Sequence, residues 1–117
     1  MRRILKQLND AVGVKGSLAV TRDGMVIASH LGQNLEEDLV AAMAVGAIQS
    51  SRRALEEHGL DQFRRFTLVA GHGKLVLADA GPAYLVVVMD RNVDVRPVQI
   101  EIESAAMRIS QLGEIRI

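Results

Sequence analysis

Ten consecutive residues, Leu39-Val40-Ala41-Ala42-Met43-Ala44-Val45-Gly46-Ala47-Ile48, carry no charged and no hydrogen-bonding side chain. If they are helical, they fill the whole circumference, because successive residues turn by about 100°. A helix on the surface of a lone domain shows one polar face, and one that is apolar all round is enclosed. A sheet can cover only one side of it, so a second body has to cover the other. Leaving Val40, Val45 and Ile48 in water would forgo on the order of 1.5–3 kcal/mol each, which together is comparable to the stability of a domain. Ala41, Ala42, Ala44, Gly46 and Ala47 leave little side chain in the way, so two helix backbones can approach closely. The covering body is either another copy of the chain or its own first and last helices, wrapped around one large core.

The flanking residues give this segment helix ends. Asn34 stands three before Glu37, the spacing of a side-chain cap with a reciprocal carboxylate, and Glu36, Glu37 and Asp38 suit the positive end of the helix dipole. Arg52 with Glu56 and Arg53 with Glu57 are four apart, and Gly59 supplies a left-handed stop. The helix is expected over 34–58. Ile4, Leu5, Leu8 and Val12 form the stripe of a shorter first helix ending near Gly13. Pro97 opens a last helix with the stripe Val98, Ile102, Ala105, Ile109 and Leu112, closed by Gly113.

Between the helices lie strand signals. Ser17 to Arg22 and Met25 to His30 flank Asp23-Gly24, a hairpin turn pair. Phe66 to Gly71, Lys74 to Asp79 and Ala83 to Met89 read as an antiparallel meander joined at His72-Gly73 and Ala80-Gly81-Pro82. The order helix, strand, strand, helix, strand, strand, strand, helix is an α+β layout in one domain over 1–117. The strands are apolar on both alternating faces, so the sheet needs cover on both sides. In a simple meander Phe66 to Gly71 is an edge strand, with Arg65 as the only local deterrent to pairing with another copy.

Composition removes several functions. Fourteen basic and fourteen acidic residues cancel and aromatics make up 3%, so neither the field nor the rings of a nucleic-acid binder are present. With no cysteine, thiol catalysis, thiolate metal sites and disulfides are excluded, and the cytoplasm is the expected compartment. The charged, broken amphipathic start is unlike a signal peptide, and Leu39 to Ser51 is too short for the roughly twenty apolar residues of a membrane span. Gly71-His72-Gly73-Lys74 lacks the glycine spacing, hydroxyl residue and following helix of a phosphate loop. His30, His58 and His72 lack metal-ligand spacing, and Ser50-Ser51 sits in a helix rather than on a nucleophile turn. No catalytic residue, metal site or cofactor is expected.

The order of elements, Gly16 with Asp23-Gly24 and Ile27-Ala28 in the first hairpin, the Ala-rich second helix, and Gly71-His72-Gly73 before Lys74-Leu75-Val76-Leu77 together resemble the roadblock/dynein-light-chain family. The resemblance implies a three-layer α/β/α, profilin-like fold: a five-stranded antiparallel sheet with the second helix on one face and the terminal helices on the other. It also implies a dimer whose third strands pair and whose second helices lie side by side, formed with a second copy or a paralogue. Prokaryotic members commonly regulate small Ras-like GTPases, and eukaryotic relatives serve as motor light chains or GTPase scaffolds. The interface expected here is Val40, Met43, Ala44, Ala47, Ile48, Ser51, Thr67 and Val69, with Arg52 and Arg53 as further partner contacts. A structural scaffold and a small-ligand sensor are the alternatives to GTPase regulation. The loop before the last helix departs from the family, with Asp94 and Arg96-Pro97 where members often carry a glycine.

Overall fold

Strands with apolar residues on both faces pair here into one antiparallel sheet sandwiched between helices. The computed structural model describes residues 1–32, 34–59, 64–71 and 73–115. Their elements run α1 (Arg2–Asn9), β1 (Val14–Thr21), β2 (Val26–His30), α2 (Glu37–Glu57), β3 (Arg65–Ala70), β4 (Gly73–Ala80), β5 (Ala83–Met89), a 3-10 turn (Arg96–Val98) and α3 (Gln99–Ile115). The sheet order is β2-β1-β5-β4-β3, with every pairing antiparallel. This is the expected α+β, three-layer arrangement.

Alternation along the strands sorts the core into two layers. Leu18 and Val20 of β1, Leu75 and Leu77 of β4, and Tyr84, Val86 and Val88 of β5 face α2, where they meet Val40, Ala41, Ala44, Val45 and Ile48. Val76 and Ala78, with Leu85, Val87 and Met89, face the opposite way onto Ile4, Leu5 and Leu8 of α1 and Ile102, Ala105 and Ile109 of α3. The terminal helices therefore share one face and α2 takes the other. One polar side chain is buried between α1 and β1: the Ser17 hydroxyl lies 2.7 Å from Asn9 Oδ1 and 3.3 Å from the Leu5 carbonyl oxygen. Asn9 Nδ2 in turn donates to the His30 carbonyl at 2.7 Å, tying α1 to β2 as well.

Several local details differ from the sequence reading. α1 ends at Asn9, so Val12 falls beyond it and is exposed rather than part of the stripe. α2 begins at Glu37 and its N-cap residue is Glu36, not Asn34. Glu37 does not reach back to close a cap box, because the Ser29 hydroxyl of β2 donates to its carboxylate instead. The C-terminus matches expectation, with Gly59 at φ +68, but neither Arg52–Glu56 nor Arg53–Glu57 closes into an ion pair among the described residues. α3 continues through Gly113 to Ile115. The first hairpin uses Arg22 to Met25 as its turn, and Thr21 Oγ1 both donates to the Asp23 carboxylate and accepts from the Met25 amide at 2.9 Å.

The β4–β5 turn is tighter, since Ala80 pairs directly with Ala83. Gly81 holds φ +76 there, and a Cβ on it would lie 2.6 Å from Ser110 Oγ of α3, so glycine is required on both counts. The loop after β5 closes without a glycine: Asp94 Oδ1 accepts from the Arg96 amide at 3.0 Å while its carboxylate also takes Nε and Nη2 of the same guanidinium. That hydrogen bonding holds the Asp94 carboxyl at about 2, below its ordinary value.

Ile48 and Ile102 stand on opposite sides of the sheet and are fully buried. Each changed singly to Ala should lower the unfolding free energy by about 2–5 kcal/mol, read from urea melts followed by circular dichroism. A loss within the usual range for surface substitutions at either site would contradict the two-layer core.

Candidate partner interface

With one side of α2 committed to the sheet, its other side remains in solvent. Leu39 is 58% and Met43 49% exposed, and Ala42 and Gly46 are exposed beside them. Leu39, Met43, Gly46 and Ser50 follow one another at spacings of four, three and four, the pattern that keeps a seam on one side of a helix. At its centre, a Cβ built on Gly46 meets nothing within 4 Å. Nothing in the protomer asks for glycine there, although glycine inside a helix costs about 1 kcal/mol relative to alanine.

The other part of the surface is β3. It pairs with β4 over all six residues, Arg65↔Ala78 to Ala70↔Gly73, and ends the sheet. Phe66 and Leu68 lie across from Leu77 and Leu75, so they extend the face under α2. Thr67 and Val69 lie across from Val76 and Lys74 and extend the opposite face. Residues Thr67 to Ala70 are exposed. The second edge strand, β2, is less suited to receive a strand, because its register with β1 is broken between Ala19 and Val20, and irregular edges pair poorly. Arg65 does not guard the β3 edge: its guanidinium is held by Glu103 of α3 at 2.5 Å.

The expected interface residues divide accordingly. Met43, Thr67, Val69 and Arg53 are exposed, and Ala47, Ser51 and Arg52 are half-buried. Val40, Ala44 and Ile48 instead fill the layer between α2 and the sheet, at 7%, 0% and 0% exposure. Leu39, Ala42, Gly46 and Leu68 take their place at the surface. The signal that could have found them is the four-three-four seam through Gly46, which the continuous apolar run masked.

No side chains converge for chemistry in this region. Among the described residues no group of three or more His, Asp or Glu is placed to hold a metal ion. His30 and His58 are exposed, and His72 lies outside the described residues. Lys74 sits on β4 with its ammonium donating to the Val93 carbonyl at 2.8 Å. No helix among the described residues is long and apolar enough to cross a membrane.

Comparison with known proteins bears on the family and the fold. The family model described as the Roadblock/LC7 domain matches residues 2–89. An uncharacterized protein of Methanocaldococcus jannaschii is 39% identical over 110 residues, which cover 94% of this chain and 93% of that one. Among solved structures, MglB from Myxococcus xanthus superposes with a TM-score of 0.90 at 19% identity, covering 99% of this chain and 89% of that one. A Roadblock/LC7 domain from Streptomyces avermitilis gives 0.88 at 19% identity, with 97% and 98% covered. The profilin-like character of the fold is seen in a TM-score of 0.63 with an Acanthamoeba castellanii profilin, at 17% identity and 96% and 98% coverage. On the match to its model and the similarity to its archaeal relative, the chain belongs to the Roadblock/LC7 family.

Proposed function

We propose that the protein is a homodimeric, cytoplasmic regulator that binds a small Ras-like GTPase and modulates its nucleotide cycle without a catalytic site of its own. The observation that carries the dimer is the outer seam of α2, where Leu39 and Met43 are exposed around a Gly46 whose missing side chain faces open space. A second copy related by a two-fold axis through Gly46 gives each residue of the seam a reciprocal partner. It sets Leu39 opposite Arg53 of the second copy and brings that arginine within a turn of Glu36 and Asp38. Joining the two β3 edges would then continue the sheet across the same axis.

The GTPase reading rests on family membership, since regulation of Ras-like GTPases is a common role of prokaryotic roadblock proteins, and on the absence of converging chemical groups among the described residues. A dimer of this kind acts by selecting a conformation of the GTPase's switch segments through differential contacts. Arg52 and Arg53, neither of them in an ion pair among the described residues, are the arginines of this region; in the seam dimer Arg53 faces the second copy, which leaves Arg52 for contact with a GTPase.

Two outcomes are expected. Met43→Glu should turn the chain into a monomer by sedimentation velocity while leaving its circular dichroism and melting curve those of a folded protein. Gly46→Ala should raise helix stability by about 0.5–1 kcal/mol while weakening association. If both variants dimerise like the parent chain, the seam is not the interface. In single-turnover assays with a Ras-like GTPase encoded in the same genome, the parent chain should change the hydrolysis or exchange rate and the Met43→Glu monomer should not. An unchanged rate with stable binding would instead identify a scaffold.

A further inference from the structure

α1 and α3 lie side by side on the sheet face opposite α2, and the seam between them is open at the surface. The residues that meet along it run in opposite order on the two helices, which are therefore antiparallel. Ile4 and Leu8 of α1 line one recess with Ile100, Glu101 and Ala105, and Met1, Arg3 and Ile4 line the next with Arg108 and Leu112. The two recesses, of about 290 and 400 Å³, share Ile4 and Arg108. Arg108 Nη1 donates to Gln7 Oε1 at 2.9 Å across the divide. Together they make one groove beside α3 from Ile100 to Leu112, about 18 Å long at 1.5 Å per residue.

The floor of the groove is apolar, set by Ile4, Leu8 and Ala105, and Ile100 stands over it with 76% of its surface exposed. The rims carry both signs of charge. Glu101 lies at the end near Leu8, whereas Arg3 and Arg108 lie toward the other end, and none of the three is in an ion pair among the described residues. α3 as a whole holds Glu101, Glu103 and Glu114 against Arg108, so its surface is not uniformly cationic, and an anionic bilayer would meet Glu101 with repulsion. Glu103 belongs to the other side of α3, where it holds Arg65 and where Met107 lines a separate recess.

An occupant has to match an apolar floor that has an acidic end and a basic end. Neither recess is closed over, so a small molecule would keep much of its surface in water, unlike ligands in ordinary pockets. An extended peptide gains affinity from the free backbone groups of a sheet edge, and the interiors of two helices offer none. A helix needs no such groups, since it lays side chains at i, i+3 or i+4, and i+7 into the furrow between two others. Glu101 and Arg108 are seven residues apart in the chain, nearly two helical turns, so the groove fixes the spacing of charges on such a helix as well as their signs.

We infer that the α1/α3 groove docks an amphipathic helix of a partner protein, about twelve residues long. Its aliphatic stripe packs on Ile4, Leu8 and Ile100, a Lys or Arg meets Glu101, and a carboxylate about seven residues away meets Arg3 and Arg108. The inference concerns one chain and rests neither on the pairing of α2 nor on the GTPase reading.

The test is selection against the full chain from a display library of helical peptides of about fourteen residues, with an aliphatic stripe and randomised flanks. Selected peptides should carry a basic and an acidic residue about seven apart, and the amide chemical shifts that move on binding should be those of α1 and α3. Ile100→Asp, at an exposed position, should weaken binding about tenfold or more with an unchanged circular dichroism spectrum. Arg108→Glu should weaken it several-fold, and replacing the peptide's carboxylate by Lys should restore binding to that variant. Met43→Glu should leave peptide affinity unchanged. The inference is overturned by failure to select any binder, by binders without the charge pattern, by shifts or losses that map to α2 or β3, or by indifference to Ile100→Asp. Co-sedimentation with phosphatidylglycerol vesicles in place of peptide binding would overturn it in favour of a membrane. Self-association abolished by Ile100→Asp would overturn it in favour of a second copy.

Discussion

α2 is apolar around its circumference, but a single sheet can shelter only one side of it. The rest of the structure follows from how that mismatch is resolved. The side bearing Val40, Ala44 and Ile48 is pressed onto Leu18, Leu77, Tyr84 and Val86 with almost no exposure, which fixes the helix on one face of the sheet. The other face is equally apolar, so α1 and α3 are both needed there and neither is available to wrap α2. The alternative of one large self-contained core is thereby excluded, and Leu39 and Met43 stay in solvent. The same arrangement leaves β3 as the outer strand of the sheet.

Much of this was legible in the sequence because the signals were periodic and local. The stripes of the first and last helices, the Asp23-Gly24 turn and the two-sided strands gave element order, layer count and the edge position of β3. The phase of α2 was not legible. A polar arc normally shows which way a helix faces, and ten apolar residues provide none, so Val40, Ala44 and Ile48 looked as suitable for a partner as Leu39 and Met43. Only packing separates them, since the inward set is the one that meets β1, β4 and β5. The first turn of α2 escaped for a related reason: whether Glu37 closes a cap depends on where Ser29 of β2 sits, and that is a tertiary fact. Arg65 likewise reads as an edge guard until Glu103, far away in sequence, is found to hold it.

The surfaces left by these choices are chemically distinct. The α2 side offers small and apolar residues along a seam, bordered by carboxylates at one end and arginines at the other. The α1/α3 side carries Arg2, Arg3 and Lys6 on α1, Glu101 and Glu103 on α3, and the exposed side chains of Ile100 and Met107.

Whether a second copy covers α2 is best decided by sedimentation equilibrium of the unmodified chain over a wide concentration range. The account predicts a species of twice the chain mass at micromolar concentrations, dissociating only on dilution. A folded single chain persisting at hundreds of micromolar, as judged by far-ultraviolet circular dichroism and a cooperative melt, would contradict it, because the outer side of α2 would then be stable in water.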